Sequence, residues 1–335
     1  MARFKLFRGI DRSPADKSVS QNSGAGIVQI SLKELAQLSR FAGNVAMDKL
    51  SIRSILSGNY LSKVKGRGME FDEVRMYMPG DDVRSLDWRV MARTGKPHTK
   101  LYREERERPV FISVDYRSAM FFATRGAFKS VLAAKLAALI AWGGNHHSDR
   151  VGGQIFTDTQ TLEFKPRRGI QAILHFLKHL AELSLFSRQI EITDNQEPNT
   201  SSAALNIALD RLYQHARPGS LIFLIGDFRG MNTAAEAVLA RLSRHCDLVL
   251  VLVYDRFESD LPPKGKYRIS VRDRKFTLNT ADTRLTSAYH QKFLDRYTKM
   301  RSVASKNRMR FLACTTTDEP LQVLQGLLAP PTKAA

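Results

Sequence analysis

Residues 66–94, GRGMEFDEVRMYMPGDDVRSLDWRVMART, hold the densest chemistry in the chain. Arg75, Tyr77, Gly80, Asp81, Asp82, Arg84, Asp87, Trp88, Arg89 and Arg93 bring guanidinium forks, carboxylates and an indole into one short stretch. Planar guanidiniums pair with carboxylates bidentately and in fixed geometry. Three uses follow from that. The residues could form a structural ion-pair knot with Trp88 as its apolar floor, or present a docking surface to a partner. Asp81 and Asp82 could also work as an acid and a base, but the stretch contains no histidine to join them. Pro79-Gly80 signals a turn, after which Asp81 is the expected N-cap of a helix, with Asp82 in its first turn. Leu86, Val90 and Arg93 then recur at helical spacing, and the pairs Arg84/Asp87 and Arg89/Arg93 can each share a face.

Two further carboxylates sit where chemistry is expected. Asp115 ends the apolar run VFISV of residues 110–114, and Asp227 ends SLIFLIG of residues 220–226. A third such run, LVLVLVY, covers residues 248–254. Short, doubly apolar strands alternating with helices predict an α/β open parallel sheet with helices on both faces. Ligands in such sheets sit beyond the C-terminal strand ends. Asp115, Asp227 and the loop before Ala203 therefore mark the expected site. The histidines are weaker candidates. His146 and His147 are adjacent and point apart in an extended chain; His175 and His179 are four apart on a predicted helix but lack an accompanying carboxylate motif, and read as surface or interface residues.

The elements that must position these residues run in order. Residues 1–24 form a basic arm, and residues 25–108 an N-terminal α+β module. Within that module, SLKE at 31–34 is a capping box opening a helix striped by Leu35, Leu38, Phe41 and Val45. Strands are predicted at 60–64 and 69–77. Residues 109–330 form the sheet domain, with a β-hairpin insertion at about 256–283. Its helices are expected at 126–142, stopped by Gly143-Gly144-Asn145, and at 171–185, 203–215, 233–244, 284–305 and 320–328. Met120-Phe121-Phe122 reads either as the start of the first of these helices or as a contact patch.

The pattern R-x-Y-x-x-G-D-D-x-R-x-x-D-W-x-x-x-A-R at residues 75–93 resembles the signature of the DUF58 family, bacterial proteins with a von Willebrand factor A-like domain. The D-x-x-E-x-x-L-P run of Asp255, Glu258, Leu261 and Pro262 is similar to that family as well. The resemblance implies a von Willebrand A-like, Rossmann-like sheet and a partnership with a MoxR-type AAA+ ATPase. It also implies a Mg2+ site built from an Asp-x-Ser-x-Ser loop, a threonine from a second loop and an aspartate from a third, all hard oxygen ligands. Asp115 matches the first aspartate and Asp227 the last, with Thr200, Ser201 or Ser202 for the middle hydroxyl. The two serine positions instead hold Arg117 and Ala119, and Ser118 is one residue out of register. Mg2+ binding at this degenerate site is therefore expected to be weak or absent, with the Arg117 guanidinium taking the cation's place between Asp115 and Asp227.

Composition bounds the partners. Lys plus Arg is 52 against 33 Asp plus Glu, a net charge of +19 that favours anionic partners. Basic clusters lie at residues 165–168 and 268–275. Cys246 and Cys314 both fall in apolar runs and are expected to be buried and reduced, which points to the cytoplasm. The basic N-terminus lacks a signal peptide's apolar core, and no apolar run approaches the roughly 20 residues of a membrane span. A peripheral contact with anionic lipid at the inner membrane face is compatible with this charge. No G-x-x-x-x-G-K-[ST] occurs, so the chain is not itself the ATPase. The expected function is a non-enzymatic adaptor acting with that ATPase in the assembly or maturation of protein complexes. The alternative is a basic nucleic-acid-binding protein; the third class, a metal-dependent hydrolase, would need a metal or a nucleophile–base pair.

Overall fold

The computed structural model describes residues 26–45, 47, 69–104, 109–186, 198–262, 264–271 and 274–326. The predicted arm at 1–24 and the predicted strand at 60–64 lie outside them. The chain divides into two units, one made of Met1–Ile52 with Arg108–Ala335 and the other of Arg53–Glu107.

The first described helix, α1 (Leu32–Gln37), opens on the expected capping box: the Ser31 hydroxyl accepts from the Glu34 amide, and Glu34 accepts from the Ser31 amide. The sequence grouping of residues 25–108 into one module fails here. Leu35 is fully buried in the core of the sheet unit, with Ile30, Val45 and Met47. Trp142 Nε1 donates to the Leu35 carbonyl at 3.0 Å, and the Ile30 amide donates to Ser184 Oγ at 3.1 Å. A six-residue helix with one apolar stripe has no independent stability, so it takes its burial from the larger surface of the sheet unit.

The second unit is a hairpin. Strands β1 (Met69–Met76) and β2 (His98–Glu104) pair antiparallel, with an irregularity between Phe71 and Glu73. Their connection carries a 3-10 turn at Val83–Ser85 and the short helix α2 (Trp88–Thr94), closed by Gly95 in the left-handed region at φ 71°. The N-cap of that helix is Asp87, not Asp81 as the turn signal suggested; Asp87 accepts from the Arg89 and Val90 amides. Leu86, expected on the helix, is extended and bridges Thr99.

In the sheet unit, β3 (Val110–Asp115), β4 (Val151–Phe156), β5 (Thr161–Arg167), β6 (Leu221–Gly226), β7 (Asp247–Tyr254) and β10 (Arg310–Thr315) form a six-stranded sheet ordered β10-β7-β6-β3-β4-β5. All pairings are parallel except β4 with the edge strand β5. This is the doubly wound order, with the switch point between β3 and β6. On one face, α3 (Lys129–His146), α4 (Ile170–Phe186) and α9 (Pro320–Gly326) cover a core that includes Ile112, Val114 and Val251. On the other, α5 (Pro198–His215), α6 (Thr233–Leu242) and α8 (Thr283–Lys306) cover Phe111, Ile222 and Leu250. Strands covered on both faces must be apolar at every position, which is why these runs show no alternation. Short α7 (Arg256–Ser259) and the hairpin β8 (Lys266–Val271) with β9 (Arg274–Asn279) make up the insertion before α8.

Two helix boundaries depart from expectation. Helix α3 continues through Gly143 and Gly144 to His146. A Cβ on Gly143 would lie 3.0 Å from Val45 Cβ, and one on Gly144 3.0 Å from Val151 Cγ2, so these glycines serve close packing inside the helix rather than ending it. Helix α5 starts at Pro198 instead of 203, since proline is favoured at the first helical position. Met120 is buried at the end of a 3-10 turn, Ser118–Met120, that precedes α3, so the Met-Phe-Phe run is neither the helix start nor an open patch.

Leu35→Ala is expected to lower the stability of the sheet unit by about 2–5 kcal/mol. In a Trp88→Phe background, buried Trp142 is the only indole left. An unchanged denaturation midpoint of its fluorescence would place α1 outside that core.

Candidate functional site

The switch point puts Asp115, the last residue of β3, beside Gly226, the last residue of β6, and Asp227 follows at once. A Cβ on Gly226 would sit 2.7 Å from the Asp115 Cβ and 2.9 Å from its Oδ2, so a glycine is what lets the carboxylate tuck against β6. Buried Phe228 then adopts φ 53°, a left-handed conformation unusual for a bulky residue. That turn lets the Arg229 amide donate back to Asp227 Oδ1 at 3.0 Å.

Arg117 lies across the two carboxylates. Its Nε donates to Asp115 Oδ1 at 3.0 Å, its Nη2 to Asp115 Oδ2 at 2.6 Å, and the same Nη2 reaches Asp227 Oδ1 at 3.4 Å. Its Nη1 donates to the Arg229 carbonyl at 2.9 Å. The side chain is 2% exposed. Lys129, fully buried at the start of α3, contacts Asp227 Oδ2 at 3.3 Å and Glu258 Oε1 at 2.6 Å. Glu258 also meets Arg229 Nη2 at 3.1 Å and Arg296 Nη2 at 3.0 Å, while Arg229 Nε reaches Asp227 Oδ2 at 3.3 Å. Three carboxylates thus face four cations within one buried network. Nearby, Asp255 accepts from the Thr124 amide and hydroxyl, the Phe257 amide and the Thr316 hydroxyl, tying the ends of β7 and β10 to the loop before α3.

The electrostatics follow this geometry. Burial raises Asp115 above the usual carboxylate range, with the Arg117 charge opposing it and the Asp227 charge adding to it. Burial acts on Asp227 in the same sense, but the charges of Lys129, Arg229 and Arg117 outweigh it and hold Asp227 below its ordinary value. Arg117 is held charged: burial would lower it, and Asp115 and Asp227 more than compensate. Such a network is costly to desolvate and expensive to break, since removing one partner strands a buried charge.

A divalent cation does not fit here. Asp115 Oδ1 accepts from Arg117 N and Nε, and Oδ2 from Nε and Nη2. Asp227 Oδ1 accepts from Arg229 N and Arg117 Nη2, and Oδ2 faces Lys129 and Arg229. All four oxygens therefore face cationic or amide donors, where Mg2+ demands free hard anionic ligands in near-octahedral array. Ser118 contributes its amide, which donates to Asp158 Oδ2 at 2.7 Å. Thr200 and Ser201 lie in the first turn of α5, and Ser202 packs beside Gly230. Among the described residues no group of three or more His, Cys, Asp or Glu is arranged to hold a metal.

The remaining candidates fall elsewhere. In the hairpin unit, Arg75 Nη2 pairs with Asp81 Oδ1 at 2.7 Å, and Asp81 Oδ2 accepts from the Met78 amide. Asp82 caps the 3-10 turn, Asp87 caps α2 and faces Lys100 at 3.7 Å, and the Tyr77 amide donates to the Pro97 carbonyl across the Gly80 turn. Arg84, Arg89 and Arg93 are exposed. Trp88 is 62% exposed, with Met76, Met78 and Val83 also open to solvent. The expected apolar floor is therefore wrong: at the first position of a short helix with its cap buried, the indole is turned outward. His175 and His179 flank Phe164 of β5 edge-on, at ring-centroid distances of 5.5 and 5.2 Å, and serve packing. His146 and His147 meet edge-on at 5.5 Å because the helix, not an extended chain, carries the first of them.

Sequence reasoning missed Lys129, Arg229 and Arg296, and marked Glu258 without giving it a role. One signal was available: Lys129 stands next to SVLAAKLAALIAW, an apolar helix where a buried cation must have a carboxylate partner.

Residues 73–299 match the model of the family described as Protein of unknown function DUF58. Curated relatives include Uncharacterized protein Rv1480 of Mycobacterium tuberculosis (strain H37Rv) and Uncharacterized protein Mb1516 of Mycobacterium bovis, each 29% identical over 217 residues, spanning 65% of this chain and 65% of the relative. Among solved structures, similarity extends to an aerotolerance-related membrane protein from Bacteroides fragilis (16% identity, TM-score 0.36, covering 66% of this chain and 96% of that one). It extends also to the conserved hypothetical protein BatB from Bacteroides thetaiotaomicron (14% identity, TM-score 0.37, covering 66% of this chain and 98% of that one). The fold assignment rests on the sheet order itself, not on these scores.

Two outcomes are expected at this site. Millimolar Mg2+ should leave the melting temperature of the intact protein unchanged, whereas the Arg117→Ser, Ala119→Ser double variant, which restores both hydroxyls, should gain a Mg2+-dependent rise. A Mg2+-dependent rise in the intact protein that disappears in Asp115→Ala would contradict the guanidinium substitution. Asp227→Asn should cost about 3–5 kcal/mol at neutral pH. Because the folded-state value of Asp227 is depressed, its contribution is full above the unfolded carboxylate value of about 3.9 and is lost as pH falls toward the folded value. The variant's deficit should accordingly shrink below about pH 4, as urea titrations at several pH values would show.

Proposed function

The chain belongs to the DUF58 family, and from that premise we propose that it is a non-enzymatic adaptor that works with a MoxR-type AAA+ ATPase in the assembly or maturation of protein complexes. The observation that carries this reading is the state of the switch-point site: its carboxylates are spent on Arg117, Lys129 and Arg229, and carboxylates held in this way form a rigid surface rather than a set of reactive groups. Acid–base work needs a group free to exchange a proton near neutral pH. Asp227 is held ionised and Arg117 charged, and Asp115, although burial raises it, has both oxygens engaged by the Arg117 guanidinium. At the rim, Arg229 stays 45% exposed and offers its remaining guanidinium surface outward. In the hairpin unit, Trp88 with Arg84, Arg89 and Arg93 has the residue types enriched at binding hot spots. An adaptor takes its energy from its partner, which accords with the absence of a phosphate-binding loop in the sequence. No described helix is long and apolar enough to cross a membrane, and the reading places the protein in the cytoplasm, with peripheral contact at the inner membrane face.

Reconstitution tests this. The purified chain should co-elute with a purified MoxR-type ATPase and change its rate of ATP hydrolysis. Trp88→Ala should weaken the complex by about tenfold or more if the indole is a hot spot, and the complex should persist in chelator when nucleotide is omitted. Failure to associate would remove the adaptor reading. Metal-dependent hydrolysis of ester or phosphate substrates by the chain alone would replace it with an enzyme. The +19 charge favours nucleic acid as the second reading, and binding to mixed oligonucleotides near physiological salt, steeply weakened by more salt, would support it.

A further inference from the structure

At the opposite end of the strands from Asp115 and Asp227, the sheet unit has a second concavity. It is a cleft of about 700 Å3 between the C-terminal end of α5 and the edge strand β5. Phe111 lies at its base, and Pro109 and Pro218 line it where the chain enters β3 and leaves α5. Its size falls in the range of about 300–1,000 Å3 that holds ligands.

The charge of this cleft is lopsided. Glu163, Lys165 and Arg167 are all exposed on β5 and line the cleft. Among the described residues Glu163 is the one acid lining the cleft; Arg211 Nη1 of α5 reaches its Oε1 at 3.1 Å, and His215 Nε2 lies 3.3 Å from its Oε2, an ion pair when the imidazole is protonated. These contacts tie α5 to β5. Lys165, Arg167 and Arg217 line the same cleft and pair with no carboxylate among the described residues. Unlike the four cations of the switch-point network, these three have their charge facing solvent and no internal use for it.

We propose that this cleft binds an acidic peptide segment of a partner protein, with its carboxylates on Lys165, Arg167 and Arg217 and its apolar side chains against Pro109 and Pro218. Two guanidinium forks suit carboxylates, which they can meet bidentately. The accessible prolines distinguish a peptide from a polyanion, because they offer a peptide's side chains something to bury against. Nucleic acid finds less here. Single-stranded bases need an open aromatic face to stack on, whereas Phe111 is 3% exposed and Phe164 is already met edge-on by His175, Phe176 and His179. The proposal stands apart from the ATPase reading, since it concerns the N-terminal strand ends and none of the residues invoked there.

The test uses the full chain and three fluorescent probes: a peptide alternating Glu with Leu, the same peptide with Gln for Glu, and a mixed-sequence single-stranded oligonucleotide. Anisotropy titrations compare the intact protein with Arg167→Glu, Arg217→Glu and with a control of equal charge change on α8, Arg284→Glu, Arg301→Glu, all at exposed positions. The acidic peptide should bind, the Gln peptide should not, and the cleft variant should lose about tenfold or more in affinity while the control stays within about twofold of the intact protein. Lys165→Glu alone should show a smaller loss in the same direction, and unchanged melting curves show that the variants are folded. Equal losses in the cleft and control variants would reduce the effect to net charge and overturn the proposal. So would equal binding of the Gln peptide, or an oligonucleotide that binds more tightly than the acidic peptide and is displaced by the same cleft substitutions.

Discussion

The guanidinium of Arg117, set between Asp115 and Asp227, is the constraint around which the upper end of the sheet is organised. Two carboxylates on adjacent parallel strands, both withdrawn from water, repel each other and lose hydration. A cation must lie between them for the strands to end where they do. Here the cation is covalently part of the chain, two residues beyond the first carboxylate. A guanidinium is planar, permanently charged and more weakly hydrated than an ammonium, so it tolerates a dry bridge between two acids better than lysine would. Once it is in place, Asp227 still has an oxygen to satisfy. That oxygen recruits Lys129 and Arg229, and through them Glu258 and Arg296. The network thereby joins the ends of β3 and β6 and the start of α3 to α7 and the middle of α8.

A built-in cation also changes what the site can be. A bound metal can leave, exchange or complete its coordination with a partner's carboxylate. A guanidinium on a two-residue tether cannot. The surface above it is set when the chain folds and does not depend on ion supply, which is the property wanted in a permanent docking platform. The doubly wound order that creates the switch point is present, but the full set of hydroxyl ligands for an ion is not. Arg117 and Ala119 stand in the two hydroxyl positions.

The two ends of the strands divide the charge differently. At the C-terminal ends Arg117 and Lys129 are buried against carboxylates. At the N-terminal ends Lys165, Arg167 and Arg217 stand in solvent around a cleft whose one acid among the described residues is held by Arg211. Net charge alone cannot distinguish these uses. The +19 of the sequence sums cations that hold the fold together with cations that face outward, and only the latter create a field that a partner can sense.

What the sequence determined by itself was the layered architecture and the identity of the switch-point acids. Strands buried on both faces must be continuously apolar, and a carboxylate directly after such a run must stand at a strand's end, so β3, β6, Asp115 and Asp227 were legible from local pattern. Arg117 stood out only against the ligand loop that the family resemblance implies. Other features required the tertiary structure because their causes are distant in sequence. Lys129 and Glu258 are 129 positions apart and meet only when α3 and α7 converge on the sheet. The glycines at 143 and 144 look like a helix stop until Val45 and Val151 are seen pressed against them. Helix α1 belonged, by sequence order, with the hairpin; by burial it belongs with α3 and α4, because its one apolar stripe needs a surface large enough to cover it. Trp88 as the floor of an ion-pair knot was one of three uses open to the stretch, and its exposure is set by which residue caps α2. Local pattern decides which residues want to be dry; long-range packing decides which of them succeed, and which charges meet.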